Sequence, residues 1–128
     1  MEKVDMNGTE NTHEQNYSDI RRETLEPIPL VRVFFLAFIS KYPDTAGYDL
    51  IKLTKNFTKG RVELSSGTVY TELRRLEEAG YVISGEAKGS RKRKSYKITE
   101  EGKEELGNLV KQIEIRIETI LKPLIDFI

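Results

Sequence analysis

Between Leu64 and Gly80 the chain reads Leu-Ser-Ser-Gly-Thr-Val-Tyr-Thr-Glu-Leu-Arg-Arg-Leu-Glu-Glu-Ala-Gly, and its polar side chains are of the types that meet a polyanion. Hydroxyls at Ser65, Ser66, Thr68 and Thr71 can meet phosphate oxygens, the forks of Arg74 and Arg75 can reach base edges or backbone, and Gly67 permits close approach. A second concentration follows: six Lys/Arg and no acid lie between Lys88 and Lys97, including Arg91, Lys92, Arg93 and Lys94. Taken singly, each stretch has a plain reading as a solvated, ion-paired surface. Other chemistries lack material. There is no cysteine, and the sole histidine, His13, falls in a polar N-terminal stretch. Disulfides, thiolate zinc sites and cysteine nucleophiles are excluded, and histidine acid–base catalysis has almost nothing to work with. The carboxylates are scattered along solvent-facing helical patterns without an oriented base or nucleophile, so no enzyme activity, metal or cofactor is expected.

The elements that must position these residues can be read in order. Met1 to Glu26 has few apolar residues and no periodicity, which suggests a loose acidic tail with, at most, a short helix around Tyr17 to Leu25. Residues 28–42 include Leu-Val-Arg-Val-Phe-Phe-Leu-Ala-Phe-Ile, a run too apolar for one stripe, with Pro29 suited to a first helical turn. This predicts a helix buried on more than one side, one side meeting a second copy of the chain with Phe35 at the contact. Pro43 ends it, Asp44 or Thr45 caps a second helix, and Leu50, Leu53 and Phe57 form that helix's core set. A connection through Gly60, with room for a very short strand at Val62 to Leu64, leads into the 65–79 helix. There, Ser65 or Ser66 is the N-cap, Val69, Leu73 and Leu76 face the core, and Gly80 closes the C-terminus in a left-handed turn. Residues 81–86 and 91–98 then form a hairpin with a basic tip and with Tyr96 and Ile98 on one face. Thr99 caps a long last helix, helped by Glu100 and Glu101 at the positive end of its dipole. Along that helix Leu106, Val110, Ile113, Ile117, Ile120, Leu124 and Phe127 recur at steps of four and three, a seam suited to a partner chain. The competing reading packs that seam on its own domain. Pro123 should kink or end the helix.

With 128 residues, 38% of them hydrophobic, the chain supports one modest core. The expected division is a tail over 1–26, a DNA-binding domain over 27–98 and a dimerisation helix over 99–128. No run is long enough to span a bilayer and the N-terminus does not read as a signal peptide, so no membrane is expected and the cytoplasm is the expected compartment. Net charge is zero, but it is unevenly spread: the two ends are acidic and residues 27–98 are basic. For a nucleic-acid binder the distribution matters more than the total.

Three helices, a basic hairpin and a dimerising helix describe a winged helix-turn-helix, mainly α with a small β-hairpin. At the level of residues the chain resembles the PadR family of transcriptional regulators. Ser65, Gly67, Thr68, Val69 and Tyr70, then Leu73, Arg74, Arg75, Leu76, Glu77, Glu78 and Gly80, are similar to that family's recognition helix. Gly47 and Tyr48, and Arg91, Lys92, Arg93, Lys94, Tyr96, Ile98, Thr99 and Gly102, extend the likeness over about residues 30–106. The resemblance implies a homodimer on double-stranded DNA, usually a repressor, with a recognition helix in each of two successive major grooves. It also implies Tyr48, Tyr70, Arg91 and Lys92 as phosphate contacts, with Ser65, Thr68, Thr71 and Arg74 at or near the groove; the two tyrosines read equally well as core residues. Some small members hold a small hydrophobic effector between terminal helices with aromatic side chains, whereas this chain has no tryptophan and a last helix that is aliphatic until Phe127. Ser66 and Thr71 stand where many relatives have proline, and Ala46 where histidine is frequent. A different class of function, a winged helix used only for protein contact, shares the same fold.

Overall fold

The computed structural model describes residues 25–86 and 94–128. The tail, the short helix around Tyr17 and the tip cations Lys88, Arg91, Lys92 and Arg93 therefore lie outside the described residues. In order, the elements are α1 (Leu30–Lys41), β1 (Thr45–Ala46), α2 (Gly47–Phe57), α3 (Ser66–Glu78), β2 (Val82–Glu86), β3 (Lys94–Ile98) and α4 (Glu100–Arg116), followed by a π-helical turn at Ile117–Leu121 and α5 (Lys122–Phe127). One compact unit comprises Pro29–Val110; the described residues 25–28 and 111–128 belong to a second.

Within Pro29–Val110 the core is Phe35, Leu36 and Ile39 from α1, Leu50 from α2, Val69, Leu73 and Leu76 from α3, Val82 and Tyr96 from the sheet, and Leu109 from α4. The α1 run is buried on more than one side, with Val31, Val33, Phe34 and Phe38 packed around the core residues. Phe35, expected at a dimer contact, is instead wholly enclosed by its own chain and has no surface to offer a second copy. Phe57, expected in the core, is 68% exposed. Thr54 takes the inward position one turn earlier, and Phe57, the last residue of α2, meets the Phe34 and Phe38 rings edge-on at 5.5 and 6.0 Å between centroids.

The sheet has three strands in the order β1-β3-β2, all antiparallel. The extra strand lies at Thr45–Ala46, paired with Tyr96 and Ser95, and not at Val62 to Leu64, which is irregular. This changes the start of α2. Asp44 adopts a left-handed φ of 67° after Pro43, and Thr45 belongs to the strand, so neither caps the helix. Ala46 is the N-cap residue, and Asp49 reaches back to accept its N–H at 2.9 Å, doing from inside the first turn what a cap side chain would do.

Thr99 joins the base of the hairpin to the last helix. Its N–H donates to the Tyr81 carbonyl at 3.0 Å, its hydroxyl donates to the Gly80 carbonyl at 2.6 Å, and the same oxygen accepts from Gly102 N–H at 3.0 Å. Gly102 is there for space: a Cβ would lie 2.1 Å from the Tyr81 carbonyl oxygen. Leu106 packs against the core and Leu109, outside the heptad seam, is buried in it, so the start of the last helix serves its own domain.

In the second unit the Arg116 guanidinium donates to the Glu26 carbonyl. Pro123 does not end the helix, which continues to Phe127. The proline lacks an N–H and its ring crowds the carbonyl four residues back, and the backbone over Ile117–Leu121 widens into a π turn just before it. One extra residue in that turn breaks the four-three spacing. Leu121 at its end and Leu124, Ile125, Phe127 and Ile128 beyond it are all exposed, leaving an end that is apolar on several sides in place of one narrow seam.

Candidate nucleic-acid interface

The recognition-helix candidate has both ends fixed locally. Ser65 is the N-cap: its Oγ accepts from Thr68 N–H at 3.2 Å and its hydroxyl donates to Thr68 Oγ1 at 3.1 Å. This leaves the first backbone N–H groups of the helix pointing outward, without partners inside the helix, in the geometry that suits a phosphate. Gly80 carries φ 82° and turns the chain into β2. Val69, Leu73 and Leu76 anchor the inner face.

The opposite face is solvent. Ser65, Ser66, Gly67, Thr68, Arg74 and Arg75 are exposed, and Thr71 is half-buried at its edge. Gly67 is not required by packing, since the nearest atom to a built Cβ there is Ser65 Oγ at 3.9 Å. Tyr48 is 54% exposed and Tyr70 46% exposed, so both belong to the surface and not the core. Tyr70 lies across the start of α2, where a Cβ on Gly47 would meet its ring at 2.7 Å. The missing side chain at Gly47, the residue before Tyr48, is what leaves room for this ring. Lys52 sits over the Tyr48 ring at 4.8 Å, adding a cation to the same patch. Lys94 is exposed at the start of β3, while Lys97 is drawn aside by Asp44 at 3.7 Å.

Two residues of this region escaped the sequence reading. Glu72 is buried, with Arg32 Nε 3.1 Å from its Oε2 and Arg75 Nη1 3.7 Å from its Oε1. The available signal was its position: Glu72 stands three residues after Val69 and four before Leu76, a charge on the apolar stripe, and Arg32 is the one charge inside the apolar run of α1. With Val31, Gly67, Thr68 and Thr71, Glu72 and Arg75 line an open cleft beside the N-terminal half of α3.

A family model described as the transcriptional regulator PadR-like family matches residues 35–108, which takes in the latter part of α1, all of α2, the exposed helix, the sheet and the base of α4. The chain belongs to the PadR-like family of transcriptional regulators. The transcriptional regulator YqjI of Escherichia coli is 32% identical over 90 residues, 70% of this chain but only 42% of that protein, so the chain spans less than half of its relative's length. Among solved structures, a transcriptional regulator from Clostridium thermocellum superimposes with TM-score 0.65 at 27% identity, covering 72% of this chain and 87% of the other. The fold is also that of Bacillus subtilis PadR, solved in complex with operator DNA (TM-score 0.58, 23% identity, 66% of this chain and 48% of the other). This PadR-like chain is therefore a mainly helical winged-helix protein with a three-stranded sheet and a long C-terminal helix. No helix among the described residues is long and apolar enough to cross a membrane.

Proposed function

We propose that this PadR-like regulator binds double-stranded DNA sequence-specifically, as a homodimer and in the cytoplasm, represses transcription and has no enzymatic activity. The observation that carries the reading is the outward face of α3: hydroxyls, a glycine without a packing role, two arginines and the exposed Tyr70 lie on a helix whose inner face is locked into the core, with a further exposed tyrosine, Tyr48, at the start of α2. The α3 helix would enter the major groove with Ser65, Ser66, Gly67, Thr68, Thr71, Arg74 and Arg75 facing bases and backbone. Tyr48, Tyr70 and the cations Lys88, Arg91, Lys92, Arg93 and Lys94 would meet phosphates. That Bacillus subtilis PadR has this fold and was solved with operator DNA supports the reading that the fold here is used on double-stranded DNA.

Dimerisation is supported by the exposed apolar end at Ile117, Leu121, Leu124, Ile125, Phe127 and Ile128, side chains whose burial against a second copy would be favourable. Val110, Ile113 and Ile120 would extend the contact toward the domain. Phe57 with Phe34 and Phe38 offers a second apolar surface, suited to the same partner or to a small hydrophobic effector.

Selection of bound fragments from random DNA, followed by salt titration on the winner, tests the proposal. If each chain neutralises about three or four phosphates, log K should fall against log salt with a slope of about −6 for the dimer. No enrichment together with a flat salt response would assign the fold to protein contact instead.

A further inference from the structure

The buried carboxylate of α3 points to a device for discriminating between DNA sequences. The Glu72 side chain is only 12% exposed, yet it lies one turn before Arg75, whose side chain is 66% exposed on the groove-facing surface. Its two oxygens face different ways. Oε2 accepts from Arg32 Nε at 3.1 Å, and Arg32 is itself held, with Nη1 3.9 Å from Glu105 Oε2 and its guanidinium carbon 5.9 Å from the Tyr81 ring centroid. Oε1 is left for Arg75, 3.7 Å away. Charges from α1, α3 and α4 therefore alternate Glu105, Arg32, Glu72, Arg75, and only the last reaches the surface where DNA would lie.

We propose that Glu72, anchored by Arg32, is a positioning residue: it orients the Arg75 guanidinium along α3 and offsets its charge, so that Arg75 favours a chosen sequence over random DNA. A free arginine pairs with any phosphate that comes within reach of its long, flexible stem. One leaning on a fixed carboxylate is held in a narrow set of positions, and leaves that partner only where DNA offers a well-placed acceptor. The proposal rests on the DNA-binding reading above.

The test compares wild type, E72Q, R75A, E72Q/R75A and R75K on the selected sequence and on random duplex of equal length, each over a range of salt. Wild type should prefer the selected sequence. E72Q should bind random DNA more tightly, steepen its salt slope by about 0.9 per chain and lower the selected-to-random ratio by about five-fold or more. In the R75A background the same change should leave the ratio where R75A put it. Equal effects of E72Q with and without Arg75, or an unchanged ratio and slope, would make Glu72 a tie between helices and overturn the proposal. Should E72Q fail to fold, R75K decides, because its substitution is on the surface. It keeps the charge but loses the fork, so it should lower the ratio while random-DNA affinity persists; a silent R75K overturns the proposal. Absence of DNA binding by the wild-type chain would refute the DNA reading itself, an outcome distinct from any of these.

Discussion

Gly67 separates what a residue does for the fold from what it does for a ligand. A methyl group there meets nothing closer than 3.9 Å, and the position is within a helix, where alanine is preferred. Gly67→Ala should therefore raise stability by about 0.5–1 kcal/mol in urea unfolding while weakening DNA binding in the same preparation. A rise in both would mean that the duplex does not approach Gly67. Tyr96 gives a prediction in pH. Burial in the core, reinforced by the Glu77 carboxylate and by Tyr70, holds its phenol above the ordinary value. The unfolded chain then loses that proton first as alkali is added, so the contribution is fully present below about pH 10 and is lost as pH climbs from there through the raised native value. Thermal midpoints measured from pH 8 to 11 should fall at the alkaline end, and less steeply in Tyr96→Phe. An equal fall in both would place the titrating group elsewhere.

Among the elements, the contact of α4 with the hairpin base is the most exacting. Gly102→Ala puts a carbon against the Tyr81 carbonyl oxygen, which is backbone on both sides of the clash and cannot swing away. It should cost about 1–3 kcal/mol, visible as a lower urea midpoint, whereas Gly107→Ala, with open space around it, should not. The helices were the legible part of the chain. The α3 helix carries its own cap at Ser65, its own stop at Gly80 and its stripe at Val69, Leu73 and Leu76, all local signals. What sequence could not supply was set by distant partners. The two residues of β1 show no strand pattern of their own and are strands only because Tyr96 and Ser95 come to pair with them. Glu72 stands on the apolar stripe, but what satisfies its charge is visible only once Arg32, 40 residues earlier, is placed beside it. Phe57 fits a core stripe by spacing, but spacing does not say that Thr54 fills the inward position. The seam of the last helix presumed even winding, which the π turn before Pro123 breaks.

At the scale of the molecule, the proposed mode of reading DNA needs two copies at a fixed separation. The exposed aliphatic end after the π turn is where a second copy would gain most from association, and Ile125 alone is 69% exposed. Ile125→Glu should leave the Pro29–Val110 core folded and lower the sedimentation mass at micromolar concentration from two chains to one. Operator affinity should fall by more than ten-fold as paired binding is lost. An unchanged mass would move the dimer contact to the Phe34, Phe38 and Phe57 surface. In the assembled dimer the two α3 helices should stand about 34 Å apart, one helical turn of DNA, and footprints should show an inverted repeat with that period.

The three hydrogen bonds around Thr99 have a bearing on how such a chain can change over time. They rivet the end of one helix to the beginning of another, so the excursion between residues 80 and 99 leaves from and returns to a fixed foundation. If the proposed DNA complex forms, changing the residues between β2 and β3 would alter what this excursion offers a duplex while the hydrogen bonds at its base stay in place. Descendants of one ancestor could in this way acquire new targets by exchanging a cassette, with the scaffold beneath it inherited intact.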